Sequence, residues 1–443
     1  MHTLEQLRSG ALAGTRRLDL SCGLRELPPE VMDLADSLEV LNLSGNQLSS
    51  LPHDLARLHS LKIIFCSDNA FTELPEVLGD CAALQVVGFK ANRIAHVPDA
   101  ALPAALRWLI VTDNAITHLP LALGQRPALQ KLMLAGNRLE ALPNSLADAQ
   151  RLELLRLAAN RLSQLPSWLT ALPRLCWLAL AGNPLGWHRT AAPAIMTVPW
   201  QQLQVQSLLG EGASGHIYRV LQTDSQQALA LKLFKGAMTS DGLPEHELAA
   251  CLAAGQHPAL CTPSAVLCDH PQGARGLLLP LIAPDFVNLA GPPSLDSCTR
   301  DIYPPDLCIP APILLRMALG LAEAVLHLHQ RGVLHGDLYA HNILWQSGSG
   351  RALLSDFGAA TLLPLERPAL RRGLQSLEVR AFGCLLEELL AHAVPDPRYA
   401  SGREPIAALA QCCLQPAPSA RPTMDDVVQQ LRAAVERVGF VQD

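Results

Sequence analysis

The stretch Val333-Leu-His-Gly-Asp-Leu-Tyr-Ala-His-Asn-Ile-Leu344, followed closely by Ser355-Asp-Phe-Gly358, decides the fold of the second half of the chain. It contains a carboxylate at Asp337, an amide at Asn342 and a second carboxylate at Asp356. Transfer of a phosphoryl group requires such a set, because one acceptor orients the attacking hydroxyl and oxygen ligands hold metal ions on the phosphates. A lone His-x-Asp triplet is weak evidence, so the prediction depends on matching elements elsewhere.

A glycine-rich segment lies upstream, in Leu209-Gly-Glu-Gly-Ala-Ser-Gly-His-Ile217, between two predicted strands at residues 203–209 and 216–221. Glycine lets the backbone approach a polyphosphate and donate N–H groups without a side-chain clash. The pattern alone also occurs in turns and dinucleotide sites, but here a strand follows it rather than a helix. That strand, residues 228–234, carries Lys232, one of only five lysines in a chain with 29 arginines.

From about residue 200 to 438 the chain resembles a eukaryotic-type protein kinase domain. The resemblance implies that Lys232 holds the α- and β-phosphates of ATP and pairs with a helix glutamate, Glu247, with Glu245 as the alternative. Asp337 matches the catalytic aspartate, and Asn342 and Asp356 match the magnesium ligands. The residues that would cover the nucleotide are Leu209, Gly210, Glu211, Gly212, Ala213, Ser214, Gly215, His216 and Ile217.

Two departures from the family lie in the catalytic loop. Gly336 stands where the family usually has an arginine that binds an activation-loop phosphate, so phosphorylation there has no obvious receiver. Tyr339 stands where serine/threonine kinases usually have a lysine. The loop also resembles the His-Gly-Asp loop of small-molecule phosphotransferases of the aminoglycoside kinase kind.

A further departure lies after the second aspartate. A long helix is predicted to begin at Phe382-Gly383, which leaves a short intervening segment without an Ala-Pro-Glu motif. Arg421, in a closing segment that resembles the family's, would normally pair with the glutamate of that motif. Glu366 and Glu378 are the open candidates for its partner.

The first half of the chain carries asparagines at a nearly constant spacing of 23 residues, with one spacing of 22, at positions 46, 69, 92, 114, 137, 160 and 183. Most follow Leu-x-Leu-x-x or an apolar variant of it. This pattern matches leucine-rich repeats, in which each unit is a strand and a return arm that buries its leucines against its neighbours. We interpret the asparagines as structural groups that satisfy backbone atoms of neighbouring turns, and we assign none of them to a ligand.

Side chains alternate along a strand, so the residues on either side of each central apolar residue should face the concave side of the array. One predicted row is Val40, Ile63, Val86, Trp108, Lys131, Leu154 and Trp177. The other is Asn42, Phe65, Gly88, Ile110, Met133, Arg156 and Ala179. Large apolar patches mark binding surfaces, so we expect a protein or peptide partner centred on Phe65, Trp108, Ile110 and Met133. The partner is either another chain or the kinase domain of this chain.

The predicted organisation is an α/β leucine-rich repeat solenoid (1–186), a short linker (187–200) and a bilobal α+β protein kinase-like domain (201–438). We expect no secretory signal and no membrane span. The chain's 12 cysteines include no C-x-x-C pair, which favours reduced thiols in a cytoplasmic protein. A formal charge of -6 without a basic cluster argues against nucleic acid as a partner. The lysine-poor composition, rich in alanine, leucine and arginine, suggests a GC-rich bacterial genome.

Together these features predict a protein kinase that depends on ATP and Mg²⁺ and phosphorylates serine or threonine of a protein recruited or sensed by the repeats. Two alternatives stay open. One is a pseudokinase scaffold in which the array does the binding, and the other is a small-molecule phosphotransferase. The intact lysine, aspartates and asparagine weigh against the first, and the repeat array weighs against the second.

Overall fold

The computed structural model describes residues 1–187, 196–212, 215–235, 238–239, 241–394 and 400–437. The chain forms two compact units, one of Met1–Arg174 with Asn183–Leu185 and one of Leu175–Gly182 with Gly186–Asp443. Residues 175–182, which the sequence analysis assigned to the array, therefore group with the second unit.

The first unit begins with a short helix, α1 (Leu4–Arg8), and continues with three-residue parallel strands, each paired with the next in chain order. These strands are β1 (Arg17–Asp19), β2 (Val40–Asn42), β3 (Ile63–Phe65), β4 (Val86–Gly88), β5 (Trp108–Ile110), β6 (Lys131–Met133) and β7 (Leu154–Arg156). The next strand along the chain, β8 (Trp177–Ala179), belongs to residues 175–182 of the second unit. Short 3₁₀ helices form most of the return arms, at Pro29–Leu34, His53–Arg57, Glu76–Asp80, Asp99–Ala101, Leu121–Gln125, Asn144–Asp148 and Ser167–Ala171. This confirms the predicted leucine-rich repeat fold.

The central residue of each strand and the repeating asparagines explain why the sequence folds this way. Leu41, Ile64 and Leu109 are fully buried, as expected for units that share one continuous core. The amide of Asn46 donates to the carbonyls of Leu20 and Leu43, both at 2.8 Å, and its oxygen accepts the backbone N–H of Leu24 at 3.0 Å. Asn69, Asn92, Asn114, Asn137 and Asn160 repeat this pattern. The asparagines are therefore structural, as the sequence predicts.

The second unit opens with a six-stranded sheet and one helix. In spatial order its strands are β10, β11, β12, β14, β13 and β9. Their bounds, with that of the helix, are β9 (Met196–Pro199), β10 (Leu203–Glu211), β11 (Gly215–Gln222), β12 (Ala228–Phe234), α2 (Pro244–Ala254), β13 (Ala265–Cys268) and β14 (Gly276–Pro280). The strands predicted on both sides of the glycine-rich segment are present.

Helices and short strand pairs form the rest of the second unit. Its elements are β15 (Val287–Asn288), α3 (Ala311–Gln330), β16 (Val333–Leu334), β17 (Ile343–Trp345), β18 (Ala352–Leu354), β19 (Thr361–Leu362), α4 (Pro368–Ala391), α5 (Ala400–Cys413) and α6 (Met424–Arg437). Strands β15, β17 and β18 form one small sheet, and β16 pairs with β19. A mixed sheet followed by helices is the α+β kinase-like architecture that the sequence predicts.

One sequence-based boundary is wrong. The long helix begins at Pro368 rather than at Phe382, which lies inside α4 and is fully buried. Proline suits the first turn of a helix, because the N–H that it lacks has no partner within the helix there and its φ is already helical. The stretch between Asp356 and this helix is therefore shorter than a helix start at Phe382 would give.

Arg421 binds backbone carbonyls near the end of the domain. Its guanidinium donates to the carbonyls of Gln415 at 2.8 Å, Ser376 at 3.0 Å and Pro416 at 3.2 Å. Glu378, one of the two candidate partners, instead accepts bonds from other groups described below. Helix α4 thus supplies a main-chain carbonyl, that of Ser376, as one of the partners of Arg421.

Among the described residues, α3 alone is long and apolar enough to cross a membrane by length and composition. Half of its apolar window is buried inside the protein, and a core helix of a globular domain meets the same criteria. No membrane span is clearly indicated.

Candidate active site

A cleft of about 760 Å³ in the second unit brings together most of the predicted site residues. Its lining includes Leu209, Gly210, Glu211, Gly212, Gly215, Ile217, Lys232, Glu247, Asn342 and Asp356. His216 lies on β11, where it pairs with Glu211 of β10. Ala213 and Ser214, also predicted to cover the nucleotide, lie outside the described residues.

The glycine-rich turn joins β10 to β11. The backbone N–H of Gly212 donates a hydrogen bond to the carbonyl of Gly215 at 2.9 Å. A Cβ at Gly215 would lie 2.4 Å from the carbonyl oxygen of Leu233, whereas Gly210 and Gly212 face open space. Gly215 is thus required by strand packing, and the other two leave the backbone free for a ligand to approach.

Lys232 and Glu247 form a buried ion pair on the floor of the cleft. Lys232 extends from β12 and its Nζ lies 2.5 Å from Oε1 of Glu247 on α2 and 4.0 Å from Oδ1 of Asp356. Burial lowers the pKa of Lys232, but the charges of Asp356 and Glu247 outweigh it and raise the pKa above its usual value. Lys232 therefore stays a cation. The alternative glutamate, Glu245, instead contacts Arg275 at 3.3 Å.

The catalytic loop holds Asp337 and Asn342 together. Nδ2 of Asn342 donates to Oδ2 of Asp337 at 2.9 Å and to its backbone carbonyl at 3.0 Å. These bonds hold the aspartate in one orientation beside Asn342, which lines the cleft. His335 connects the catalytic loop to the residue before Asp356, because its Nε2 lies 3.1 Å from the carbonyl oxygen of Ser355.

Asp356 reaches the same cleft from the turn after β18. Its backbone has φ of 57°, a left-handed conformation, and its side chain is half exposed. Oδ1 accepts the N–H of Gly358 at 3.1 Å. A non-glycine residue in this conformation is uncommon and often marks a functional site. The strained turn directs a carboxylate toward Lys232.

The other side of the cleft is apolar and suits a flat ring. Aliphatic side chains from β12, β14, the residues after β14 and β17 line it, namely Ala230, Leu277, Leu279, Leu281, Ile282 and Leu344. The cleft therefore has one charged end and one apolar end. This polarity fits a molecule with a planar base and a chain of phosphates.

Several residues that support the site were missed from sequence. The carboxylate of Glu378 on α4 accepts the N–H of Gly336 at 2.8 Å and contacts Nε2 of His329 at 2.8 Å. Asp301, from the loop before α3, accepts the backbone N–H of His341 at 2.9 Å and contacts its Nδ1 at 2.8 Å. Burial lowers the pKa of His341, but Asp301 outweighs it and raises that pKa. The partners of these pairs lie 40 or more residues apart, so no local pattern reveals them.

The two hydroxyl side chains between Gly358 and Phe382 are already engaged. Thr361 is 3% exposed, and its Oγ1 accepts the N–H of Leu180 at 3.1 Å. Oγ of Ser376 donates to the carbonyl of Pro418 at 2.9 Å. A phosphate on either oxygen would disrupt these bonds.

We therefore expect the rate to be independent of phosphorylation in this segment. Phosphatase treatment, with the absence of phosphate checked by intact mass, should leave the initial rate of phosphoryl transfer unchanged within the error of the assay. Ser376→Ala is the matched variant and should behave alike. A rate that collapses after phosphatase treatment and recovers on incubation with ATP would contradict this.

Comparison with known proteins agrees with the architecture. Residues 203–376 match the protein kinase domain, residues 127–185 match the leucine rich repeat, and residues 36–86 match a second description of leucine rich repeats in two copies. The chain is 27% identical over 273 residues to the dual specificity testis-specific protein kinase 1 of Rattus norvegicus, covering 52% of this chain and 41% of the relative. It is 27% identical over 165 residues to the serine/threonine-protein kinase SBK2 of the same species, covering 36% and 42%. The serine/threonine-protein kinase Nek3 of Mus musculus is 27% identical over 159 residues, covering 36% and 28%. The chain thus spans less than half the length of these relatives.

Proposed function

Because the chain joins leucine-rich repeats to a protein kinase domain, we propose that it is an ATP-dependent kinase that phosphorylates serine or threonine of a protein. The observation that carries the proposal is a pair of bonded sets, in which Lys232, Glu247, Asp356 and Asn342 line one cleft and Asp337 is bonded to Asn342. Lys232 with Glu247 and Asp356 forms one set, and Asp337 with Asn342 forms the other. Enzymes catalyse phosphoryl transfer mainly by positioning the reactants and stabilising charge. The set that would hold the phosphates and the set that would orient the acceptor must therefore be correctly placed relative to each other.

A protein kinase domain implies ATP and a divalent metal, and the residues present fit both. Gly210 and Gly212 leave open space where a side chain would otherwise stand over the phosphates. Asn342 and Asp356 offer amide and carboxylate oxygens, the ligands that Mg²⁺ prefers. We propose Mg²⁺ as the metal held by these two residues, where it would neutralise charge on the phosphates.

The residues of the chain then have separate tasks. The ammonium of Lys232 would hold phosphate oxygens, and Glu247 keeps that ammonium in place. Asp337, oriented by Asn342, would accept the proton of the attacking hydroxyl. The apolar end of the cleft would hold the base and exclude water from it.

Serine or threonine as the acceptor is supported by the names of the relatives, which include serine/threonine and dual-specificity kinases. The test is incubation of the full chain with γ-labelled ATP, Mg²⁺, a proteome-derived peptide pool and a small-molecule amine and hydroxyl pool. Label in peptides that is stable to acid and released by base supports the proposal. Label only in the small-molecule fraction would favour the phosphotransferase alternative, and nucleotide binding without any transfer would favour the scaffold.

We also propose the predicted face of the repeat array as the surface that recruits the substrate protein. Its central side chains are half-buried neighbours in the first unit. Nε1–H of Trp108 donates to Sδ of Met133 at 3.3 Å, and Ile110 and Met133 are paired across adjacent strands. Nζ of Lys131 lies 4.1 Å from the Trp108 ring, and Phe65 packs over Gly88. These contacts keep flat apolar side chains in a fixed arrangement.

Combined Phe65→Ala and Trp108→Ala should raise KM for the protein substrate identified by labelling while leaving KM for ATP unchanged. Truncation removes contact area that is half-exposed in the free protein, so the thermal transition should change little. Trp168→Ala is the matched control, because Trp168 is a half-exposed tryptophan of the same unit away from these rows. An unfolded double variant, or an unchanged KM for the protein, would contradict the assignment.

We propose a cytoplasmic location on the basis of the thiols. None of the 12 cysteines, all of which lie in the described part of the chain, forms a disulfide bond, and several are buried among apolar side chains. Free core thiols suit a reducing compartment.

A further inference from the structure

Residues Leu175–Gly182 of the second unit, which carry β8, lie directly against the catalytic loop. Trp177 is 1% exposed, and its ring stacks on Tyr339 with centroids 4.1 Å apart and planes 12° from parallel. Its Nε1–H donates to the backbone carbonyl of Leu338 at 3.0 Å. The guanidinium of Arg300 lies 5.5 Å from the ring. Trp177 thus holds the two residues that follow Asp337, one by its main chain and one by its side chain.

The backbone of the same segment occupies the space beside Gly336. A Cβ at Gly336 would lie 2.5 Å from the carbonyl oxygen of Leu178 and 2.8 Å from that of Ala359. Gly336 also has φ of 74°, a conformation that side chains disfavour. No arginine fits at this position. The backbone of β8 therefore excludes the arginine that would bind a phosphate at this position.

A second anchor lies after Asp356. The N–H of Leu180 donates to Oγ1 of Thr361 at 3.1 Å, and Thr361 belongs to β19, which pairs with β16 just before the catalytic loop. One short segment therefore binds both the catalytic loop and the segment that follows the metal-ligand aspartate. In a phosphorylation-dependent kinase a phosphate bound by arginine would join these two stretches.

We infer that Trp177 is a positioning residue for phosphoryl transfer, and that Leu175–Gly182 holds the catalytic loop in its working geometry in place of a phosphate. Trp177 is not among the side chains that line the cleft. It acts through Leu338 and Tyr339 on the orientation of Asp337. This inference rests on the proposed kinase activity. It implies that Asp337 is correctly oriented for phosphoryl transfer without prior phosphorylation of the chain.

The test compares Trp177→Phe, Trp177→Leu and the control Trp168→Phe in the full chain. Trp177→Phe keeps an aromatic ring for Tyr339 and removes the donor to Leu338 together with part of the ring volume, a smaller loss than in Trp177→Leu. Its kcat should fall about tenfold, the effect expected when one hydrogen bond that orients the reacting group is lost, with KM for ATP unchanged. Trp177→Leu should lower kcat further, and Trp168→Phe should leave it unchanged.

Hydrogen exchange of the backbone amides of residues 335–342 supplies a readout that does not depend on activity. Exchange should be faster in both Trp177 variants than in the wild type, while the other elements of the domain stay protected. If the wild type transfers no phosphate, the proposed function fails and this exchange difference still decides the positioning role. Unchanged kcat and unchanged exchange in both Trp177 variants would overturn the inference. Equal losses of kcat and ATP affinity with loss of protection throughout the domain would overturn it as well, because they indicate general packing.

Discussion

Asp337→Ala is expected to abolish measurable phosphoryl transfer while ATP binding persists. Asp337 is bonded to Asn342 and does not line the cleft beside Lys232, whose ammonium would hold the phosphates. A positioned general base contributes about 10²–10⁴-fold to rate, and its removal does not touch the groups that hold the phosphates. The measurement is the initial rate of transfer together with the affinity for nucleotide.

Asp337→Asn serves as the companion, because it keeps the size of the side chain and removes its charge. Lys232→Ala provides the contrast, since it should disturb alignment of the phosphates and leave Glu247 buried without its cation. Undiminished autophosphorylation in the Asp337 variants would remove Asp337 from the proposed role. Loss of nucleotide binding in them would place its effect on binding rather than on the acceptor.

Gly336→Ala is expected to destabilise the second unit by about 2–5 kcal/mol. A left-handed backbone costs a side chain about 1–2 kcal/mol, and forcing atoms into a packed site adds about 1–3 kcal/mol. Both apply at Gly336, where the added Cβ would meet two carbonyl oxygens. Denaturant unfolding measures the change.

Gly273→Ala separates the two contributions. Gly273 lies in the same unit and has φ of 68°, but nothing stands within 4 Å of its Cβ position. This control should show only the smaller backbone cost. Equal stability losses at Gly336 and Gly273 would mean that the close approach of Leu178 and Ala359 is unimportant.

The repeats and the cleft follow from sequence to different extents. The period of the asparagines predicts the strands of the array, because each amide must bond the turn before it and so fixes one residue per repeat. The pairing of Lys232 with a helix glutamate could be predicted, but the choice between Glu247 and Glu245 depends on which face of α2 is turned inward. In the structure Glu247 is buried beside Lys232, whereas Glu245 lies beside Arg275.

The supports of the catalytic loop could not be predicted, since they are tertiary contacts between distant segments. Gly336 reads in the sequence as a missing arginine. In the structure it is a close approach that only glycine permits, with its N–H held by Glu378. Trp177 reads as one member of a row of strand side chains, and nothing local distinguishes it from Trp108. Only the structure shows that the Trp177 ring stacks on Tyr339 of the catalytic loop.

The start of α4 was misplaced for a related reason. Phe382-Gly383 resembles the residues at which the corresponding helix begins in the kinase family. In this chain the helix begins earlier, at Pro368. The early start shortens the stretch after Asp356, so that Thr361 lies in this stretch with its hydroxyl bonded to Leu180, whereas Ser376 lies within α4.

The most direct test of the central claim is a single time course of label transfer. The phosphatase-treated full chain is mixed with γ-labelled ATP, Mg²⁺ and the peptide pool, with Asp337→Asn in parallel. We predict that label enters serine or threonine hydroxyls linearly from the first time point, without a lag, and that the variant binds ATP but transfers no label. Binding of ATP by the wild type with no label in any peptide or in the chain itself would contradict the account.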